Sequence, residues 1–159
     1  MNEREFFASR LQAEASGFRK MLEALPAERM AYRPHPKSPS AAEVLRTMAA
    51  ELQACVDAID RGAVEWNPPE PKSRDEMRAQ WDRAHADLTS RLASMDDAGW
   101  AKAVTMSAGG KSYPPMPLGA FLWMLLFDAI HHRGQLSAYI RPMGGKVPGV
   151  YGSSADEKS

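Results

Sequence analysis

An aspartate, a histidine, a glutamine and a tyrosine recur at helical spacing next to the most apolar segment of the chain. They are Asp128, His132, Gln135 and Tyr139, and the preceding residues, 118–127, are almost all hydrophobic. At about 100° per residue, the four side chains fall within roughly 60° of one another on a helix. Buried polar groups need partners, because burying them unpaired costs several kcal/mol. The segment therefore predicts either a metal site or a hydrogen-bonded polar cluster inside the protein.

Asp128 and His132 have the spacing of two metal ligands on one helix. A carboxylate oxygen and an imidazole nitrogen four positions apart can reach one point beside the helix. Both suit divalent zinc, nickel or iron. Two ligands from one helix do not close a site, so a third must come from another helix. A site of this kind keeps an open position that activates a water or a thiol.

The alternative is a polar cluster without metal. Asp128 and His132 would then hydrogen-bond each other, and Gln135 would complete a satisfied network. His131 points about 100° away from His132, so it is expected to flank the site rather than to act as a second histidine ligand. The spacing alone leaves both interpretations open.

Four segments carry the three- and four-residue apolar spacing of amphipathic helices. The second begins after Ser40, a predicted N-cap with Glu43 three residues on, and stops at Gly62. The predicted helices cover residues 3–25, 41–61, 74–95 and 117–140. This pattern predicts an all-α fold, a four-helix bundle with long connecting loops and an extended C-terminal tail from residue 146. Residues 96–116 lack a helical period, and a short hairpin there is an open alternative.

Composition limits the class of function. The 159 residues fit one domain, and 20 basic residues balance 20 acidic ones, which gives no support for a nucleic-acid-binding surface. Cys55 is the single cysteine, and its place on the apolar seam predicts an inert buried thiol. The absence of disulfides and of an apolar signal core predicts a cytoplasmic protein. The apolar run in the fourth helix is shorter than the ~20 residues that span a membrane.

Several stretches of sequence form a set in a consistent order. They are YRPHPKS at 32–38 with SAAE at 40–43, FDAIHHRGQL at 127–136, and RPMGGKVP at 141–148 with Tyr-Gly at 151–152. Together they resemble the DinB/YfiT-like family. The resemblance implies a four-helix bundle, often a homodimer, that holds a divalent metal through three residues, commonly histidines. One ligand comes from the second helix and two from the fourth, and some members are thiol-dependent S-transferases.

Carried onto this sequence, the resemblance assigns the fourth-helix ligands to Asp128 and His132, with aspartate where histidine is frequent. The second-helix histidine is replaced by Thr47, whose neutral hydroxyl binds these metals weakly. Glu51, one turn further on, could supply a carboxylate instead, although a solvated or ion-paired residue at the edge of the seam is the more ordinary expectation for it. The residues expected to line the pocket or support the ligands are Thr47, His131, Gln135 and Tyr139.

Two functions remain open at this point. The first is a metal-dependent enzyme, a thiol-dependent S-transferase or a hydrolase, that acts on a small molecule with zinc, nickel or iron. The second is a metal-free family member that binds a small molecule or serves a stress-related role. Retention of Asp128, His132 and Gln135 favours the first, and the loss of the second-helix histidine favours the second. The resemblance and the many methionines and tryptophans also predict a homodimer.

Overall fold

Four long helices share one hydrophobic core in the computed structural model, which describes residues 1–157. They are the four helices predicted from the sequence, and their ends lie within one residue of the expected positions. α2 packs against α3 and α5, and α1 contacts the same two helices. The helices are α1 (Glu3–Ala24), a 3-10 turn (Ala27–Arg29), α2 (Ala41–Arg61), α3 (Arg74–Ser94), α4 (Asp97–Trp100) and α5 (Leu118–Ile140).

The start of α2 is held by the predicted capping box. The Ser40 hydroxyl accepts a hydrogen bond from the Glu43 backbone N–H at 3.2 Å, and the Glu43 carboxylate accepts one from the Ser40 N–H at 2.6 Å. Two orphan donors of the first turn are satisfied in this way. The helix ends where Gly62 adopts a left-handed conformation with φ 67°. These two ends fix which residues of α2 face α5.

A three-stranded sheet accompanies the helices, so the expectation of an all-α fold is wrong in this respect. The strands β1 (Ala63–Trp66), β2 (Ala103–Ala108) and β3 (Lys111–Pro117) lie in the order β1-β2-β3. β1 and β2 are parallel, and β2 and β3 are antiparallel. Two features hid these strands in the sequence. β1 is too short to show a period-two pattern, and β3 contains prolines, which argue against a strand. The prolines are tolerated because β3 lies at the sheet edge, where backbone donors need no partner strand.

The hairpin that the sequence left open joins β2 to β3. Gly109 and Gly110 form its two-residue turn between the paired residues Ala108 and Lys111. Both glycines have positive φ, 56° and 78°, which matches the type I′ turn that suits the twist of paired strands. The turn carries β3 back toward α5, so that one face of the sheet lies beside the polar stripe of that helix.

α5 is apolar on most of its surface. Its buried side includes Phe121, Leu122 and Leu136, each fully shielded from solvent, whereas Phe127 is 62% exposed. Phe6 of α1 is 49% exposed, and its ring lies 5.8 Å from the Trp123 ring of α5. These exposed aromatic side chains form a patch on the outer surface of α1 and α5.

Within residues 1–157, no helix is both long and apolar enough to cross a membrane.

A buried ion pair ties the C-terminal segment to the helices. Arg133 of α5 donates a hydrogen bond to Glu14 of α1 at 2.8 Å, and both side chains are at most 4% exposed. The Tyr151 hydroxyl donates to the same Glu14 carboxylate at 2.7 Å. The Arg133 guanidinium also lies 4.6 Å from the centre of the Phe18 ring. The tail was expected to be extended, but its described part, residues 146–157, folds back over α1 and α5, and residues 158–159 lie outside the described residues.

Arg133→Met is expected to destabilise the protein by about 3 kcal/mol or more, because it leaves the Glu14 carboxylate buried without its main cationic partner. Urea unfolding monitored by circular dichroism measures the loss. The matched control is Arg83→Met on the exposed side of α3, which should change stability by no more than about 0.5 kcal/mol. Equal unfolding midpoints for the two variants would contradict the assignment.

Candidate metal centre and adjoining cavity

Three potential metal ligands from two helices converge at one point. Glu51 comes from α2, and Asp128 and His132 come from α5. His132 Nε2 lies 3.5 Å from Glu51 Oε1 and 3.8 Å from Asp128 Oδ1, and one ligand atom of each residue lies within 4.8 Å of the others. Bonds of about 2.0–2.2 Å in a tetrahedral site place donor atoms roughly 3.4 Å apart. This Glu-Asp-His group could therefore hold a metal ion.

Glu51 is buried, so the expectation of a solvated side chain is wrong. It is 1% exposed, and neither carboxylate oxygen has a hydrogen-bond partner among residues 1–157. Glu51 is buried because α2 packs against both α3 and α5, and two neighbouring helices cover a wider arc of the α2 surface than one would. Buried polar atoms normally find partners, so the two free oxygens indicate that a proton or a cation belongs beside them.

The electrostatics of Glu51 are set by its surroundings. Burial, followed by the proximity of Asp128, raises the pKa of Glu51 to about 10. A bound cation would reverse this, because its charge dominates its immediate environment and favours the ionised carboxylate. Burial also raises the pKa of the Cys55 thiol, one turn further along α2. Cys55 is therefore suited to packing rather than to nucleophilic chemistry, as the sequence predicts.

A chain of hydrogen bonds orients the His132 ring. The Tyr139 hydroxyl donates to the Pro39 carbonyl at 3.1 Å, since a carbonyl can only accept. It accepts in turn from the Gln135 amide at 3.1 Å, which leaves the Gln135 oxygen 3.2 Å from His132 Nδ1. Nδ1 must then carry a proton, so in a neutral ring the lone pair is on Nε2, the nitrogen that lies 3.5 Å from Glu51. This is the tautomer that a metal-binding histidine needs, fixed by partners outside the ligand set.

Gln135→Leu is expected to lower metal affinity by roughly 10- to 100-fold, because loss of an outer hydrogen-bond partner frees the ligand ring. Tyr139→Phe should act in the same direction, since it breaks the link to Pro39. Competition with a chromogenic chelator measures both. Ser137→Ala, which removes only a hydroxyl bonded to the Gly134 carbonyl on another face of α5, is the control. An unchanged metal affinity in Gln135→Leu would rule out a role for this chain of hydrogen bonds in metal binding.

Glu51 and Asp128 form part of the wall of a cavity of about 730 Å³ between α2, α5 and the sheet. This volume suits a small organic ligand. Most of the wall is apolar, contributed by Trp66, Met106, Met116, Met124, Leu125 and Phe127. The polar remainder includes Arg46, Thr47, Tyr113 and His131. Two of the three potential ligands, Glu51 and Asp128, therefore open onto a largely hydrophobic chamber.

The other residues singled out from the sequence surround the site in different ways. Thr47 lines the cavity, but its hydroxyl donates to the Glu43 carbonyl at 3.0 Å and so is turned toward its own helix. His131 is exposed and lines the cavity beside His132, with ring centres 5.3 Å apart. Tyr139 is buried and reaches the site only through Gln135.

The sequence reasoning did not identify the contributions of Arg46, Met106 and Met116 to this cavity. Met106 and Met116 lie on strands that a helix-based interpretation did not include. Arg46 directly precedes Thr47, and its type carries no periodic signal that would distinguish a cavity residue from a solvated one. The glycine pair at 109–110 was a local signal for the hairpin of β2 and β3, but it does not show which helix the sheet lies beside.

The DinB fold is found in related proteins. Residues 10–136 match the sequence profile of the DinB superfamily. A DinB-like protein from Bacillus cereus, solved as a crystal structure, superposes with a TM-score of 0.74 at 22% identity over 92% of this chain and 97% of that one. A second DinB-like crystal structure, from Bacillus subtilis, superposes with a TM-score of 0.69 at 17% identity over the same shares of the two chains.

In two further matches, this chain aligns with a smaller share of the other protein's length. A mycothiol-dependent maleylpyruvate isomerase, crystallised as a mutant, superposes with a TM-score of 0.65 at 16% identity, over 84% of this chain and 60% of the isomerase. The uncharacterized protein YrdA of Bacillus subtilis is 43% identical over 42 residues, which is 26% of this chain and 25% of YrdA. At these identities the superposed structures share the fold alone. With the match over residues 10–136, the chain belongs to the DinB superfamily.

Proposed function

We propose that residues 1–159 form a single DinB-like domain, of the four-helix-bundle type, that acts as a metal-dependent enzyme on a small molecule. Glu51, Asp128 and His132 are the proposed ligands. The observation that carries the proposal is the Glu51 carboxylate, which is buried, has no hydrogen-bond partner among residues 1–157, and lies with Oε1 3.5 Å from His132 Nε2. A purely structural cluster would satisfy those oxygens with protein donors.

The ligand set also bears on the choice of metal. Two carboxylates and one imidazole form a harder set than three imidazoles, and the carboxylates suit manganese(II) in addition to the zinc(II), nickel(II) and iron(II) that imidazole suits. The replacement of the second-helix histidine by Thr47 is, in this account, compensated by Glu51 one turn later. The site would then keep three protein ligands and an open position toward the cavity.

We assign the other parts of the proposed reaction to the groups around the site. When bound, a divalent cation supplies Lewis acidity, which polarises a carbonyl or favours the deprotonated form of a thiol or water. The apolar wall excludes water from the reacting groups. The His131 imidazole, exposed on the cavity wall, is placed to take a proton from the substrate or return one to it.

The likeness of fold to a mycothiol-dependent isomerase supports thiol chemistry as the more specific form of this proposal. Cys55 is buried, and its pKa is raised, so the reacting thiol would be a small-molecule cosubstrate rather than a side chain. The protein would then be a thiol-dependent S-transferase. Hydrolysis of a small ester or thioester is the variant in which water takes the place of the thiol.

The test is consumption of a low-molecular-weight thiol in the presence of an electrophilic aryl chloride, followed with a disulfide colour reagent. Protein loaded with zinc, manganese or iron(II) should accelerate the reaction, and His132→Ala should lose at least about 90% of the rate. Ser137→Ala serves as the control for substitutions on α5. Equal acceleration by the parent and His132→Ala would contradict metal-dependent catalysis at this site.

A metal-free binding module is the second candidate. The observation that favours it is the Thr47 hydroxyl, which is turned to its own helix and contributes no ligand. In that case the cavity would bind its small molecule equally well with and without a chelator. Calorimetric titration of one ligand in both conditions distinguishes the candidates, because ligand affinity should depend on the metal only if the cation lies in the cavity wall.

We also propose that the exposed aromatic patch is the homodimer interface. Phe6, Trp123 and Phe127 form a row of rings, the first pair tilted with centres 5.8 Å apart and the second pair stacked with centres 5.4 Å apart. A large exposed apolar patch typically marks an interaction surface. Light scattering at micromolar concentration should give the mass of a dimer, and Phe6→Glu should shift it toward the monomer. A monomeric parent would exclude the proposal.

A further inference from the structure

Arg46 is the one arginine or lysine among the residues that line the cavity within the described part of the chain. It projects from α2, one position before Thr47. Its Nε is buried and has no hydrogen-bond partner among residues 1–157. Buried polar groups are normally paired, so the unpaired Nε indicates that the Arg46 guanidinium lacks its usual partner in the protein.

Glu43, a carboxylate on the same helix as Arg46, does not use this donor. Its pKa is lowered chiefly by hydrogen bonds with Ser40 in the capping box, and to a lesser extent by the charge of Arg46. It also forms an ion pair with Arg33 at 3.1 Å. Arg46 therefore remains available to a molecule that enters the cavity.

The charges around the cavity point to the sign of that molecule. Arg46 is the one arginine or lysine in the described wall of the cavity. A permanently charged guanidinium in this position favours an anion over a cation.

The remaining wall defines the rest of the ligand. Trp66, Phe127 and three methionines supply flat and adaptable apolar surface, and methionine fits irregular ligands because its thioether chain is flexible. Arginine binds carboxylates through a planar fork of donors. We infer that the cavity takes a small carboxylic acid with an apolar body, and that Arg46 is the residue that selects the acid. The inference rests on the proposed function in that the acid would be the substrate of the same site.

The experiment compares one probe pair that differs in charge alone, 4-phenylbutanoate and 4-phenylbutanamide, by calorimetric titration. The parent should bind the acid roughly 10- to 100-fold more tightly than the amide, the range for a hydrogen bond to a charged group. Arg46→Met should reduce the preference to about twofold or less, and Arg46→Gln should do the same if the methionine variant folds poorly. Arg83→Met, on the exposed side of α3, should keep the full preference.

Each titration is run on metal-loaded and chelator-treated protein, so that the two proposals can fail separately. A parent that holds no metal but still prefers the acid through Arg46 would contradict the metal site and support the proposed role of Arg46. An acid preference that survives Arg46→Met but disappears with the metal would overturn the role of Arg46 and support the metal site. Equal binding of acid and amide by the parent, or binding of neither at millimolar concentration, would also overturn the role of Arg46.

Discussion

Glu51→Gln is expected to abolish metal binding and, at the same time, to stabilise the metal-free protein. The amide has nearly the shape of the carboxyl group but carries no charge, so it cannot replace a carboxylate ligand. Without metal, Glu51 must be buried as the neutral acid or as an unpaired anion, and glutamine avoids both. An ordinary structural glutamate would lose stability on this substitution, so the two effects together are specific to a buried carboxylate that serves as a metal ligand.

The pH dependence of the metal-free parent follows from the same group. Burial and the proximity of Asp128 raise the pKa of Glu51 to about 10, above its value in the unfolded chain. Between the two values the folded state binds more protons than the unfolded state, so the free energy of unfolding falls as pH rises. The Glu51 contribution is fully present at pH values below about 4.5. By pH 7 the loss is on the order of 3 kcal/mol.

Urea unfolding in chelator across pH 5–9 measures this effect for Glu51→Gln and for the matched exposed substitution Glu70→Gln. The parent and Glu70→Gln should share a slope of decreasing stability with rising pH, which Glu51→Gln should lack. Metal added near neutral pH should stabilise the parent by about 3 kcal/mol at a hundredfold excess over Kd. It should leave Glu51→Gln unchanged. A Glu51→Gln variant less stable than the parent at every pH would refute the account.

Thr47→His, added to Glu51→Gln, is expected to restore metal binding. Thr47 lies one turn before Glu51 on α2 and lines the same cavity, at the position where resemblance to the DinB/YfiT-like family implies a histidine ligand. The double variant would hold the cation through one aspartate and two histidines. The loss in Glu51→Gln should exceed roughly 100-fold in affinity, since removal of an outer partner alone costs 10- to 100-fold, and the second substitution should recover most of it.

Chelator competition with zinc on the parent, both single variants and the double variant measures this rescue. Ala50→His, on the same helix between the two positions, controls for the gain of an imidazole elsewhere on α2. Failure of the double variant to regain metal, while Thr47→His alone remains folded by circular dichroism, would show that residue 47 does not face the ligand position. Recovery by Ala50→His would contradict the geometry equally.

The long helices were predictable because their signals are local. The capping pair Ser40 and Glu43 and the stop at Gly62 define α2 without reference to any other element. The stripe of Asp128, His132 and Gln135 follows from helical spacing in the same way. These features depend on residues a few positions apart, which the sequence shows directly.

The parts that the sequence does not show depend on contacts between distant segments. Glu51 has the spacing of a residue at the edge of the α2 seam, and its burial follows only from the packing of α2 against two helices at once. The parallel pairing of β1 with β2 joins segments about 40 residues apart. Arg133 has no sequence signal for its partner, because Glu14 lies 119 positions away on α1.

The central claim is that Glu51, Asp128 and His132 together hold one divalent cation, and metal content per chain tests it most directly. Protein purified without a histidine tag and reconstituted with zinc, manganese or iron(II) should retain about one ion per chain after gel filtration, as expected for a single three-ligand site. His132→Ala and Glu51→Gln should retain only traces. A folded parent with no retained metal, or a His132→Ala variant with as much as the parent, would contradict the claim.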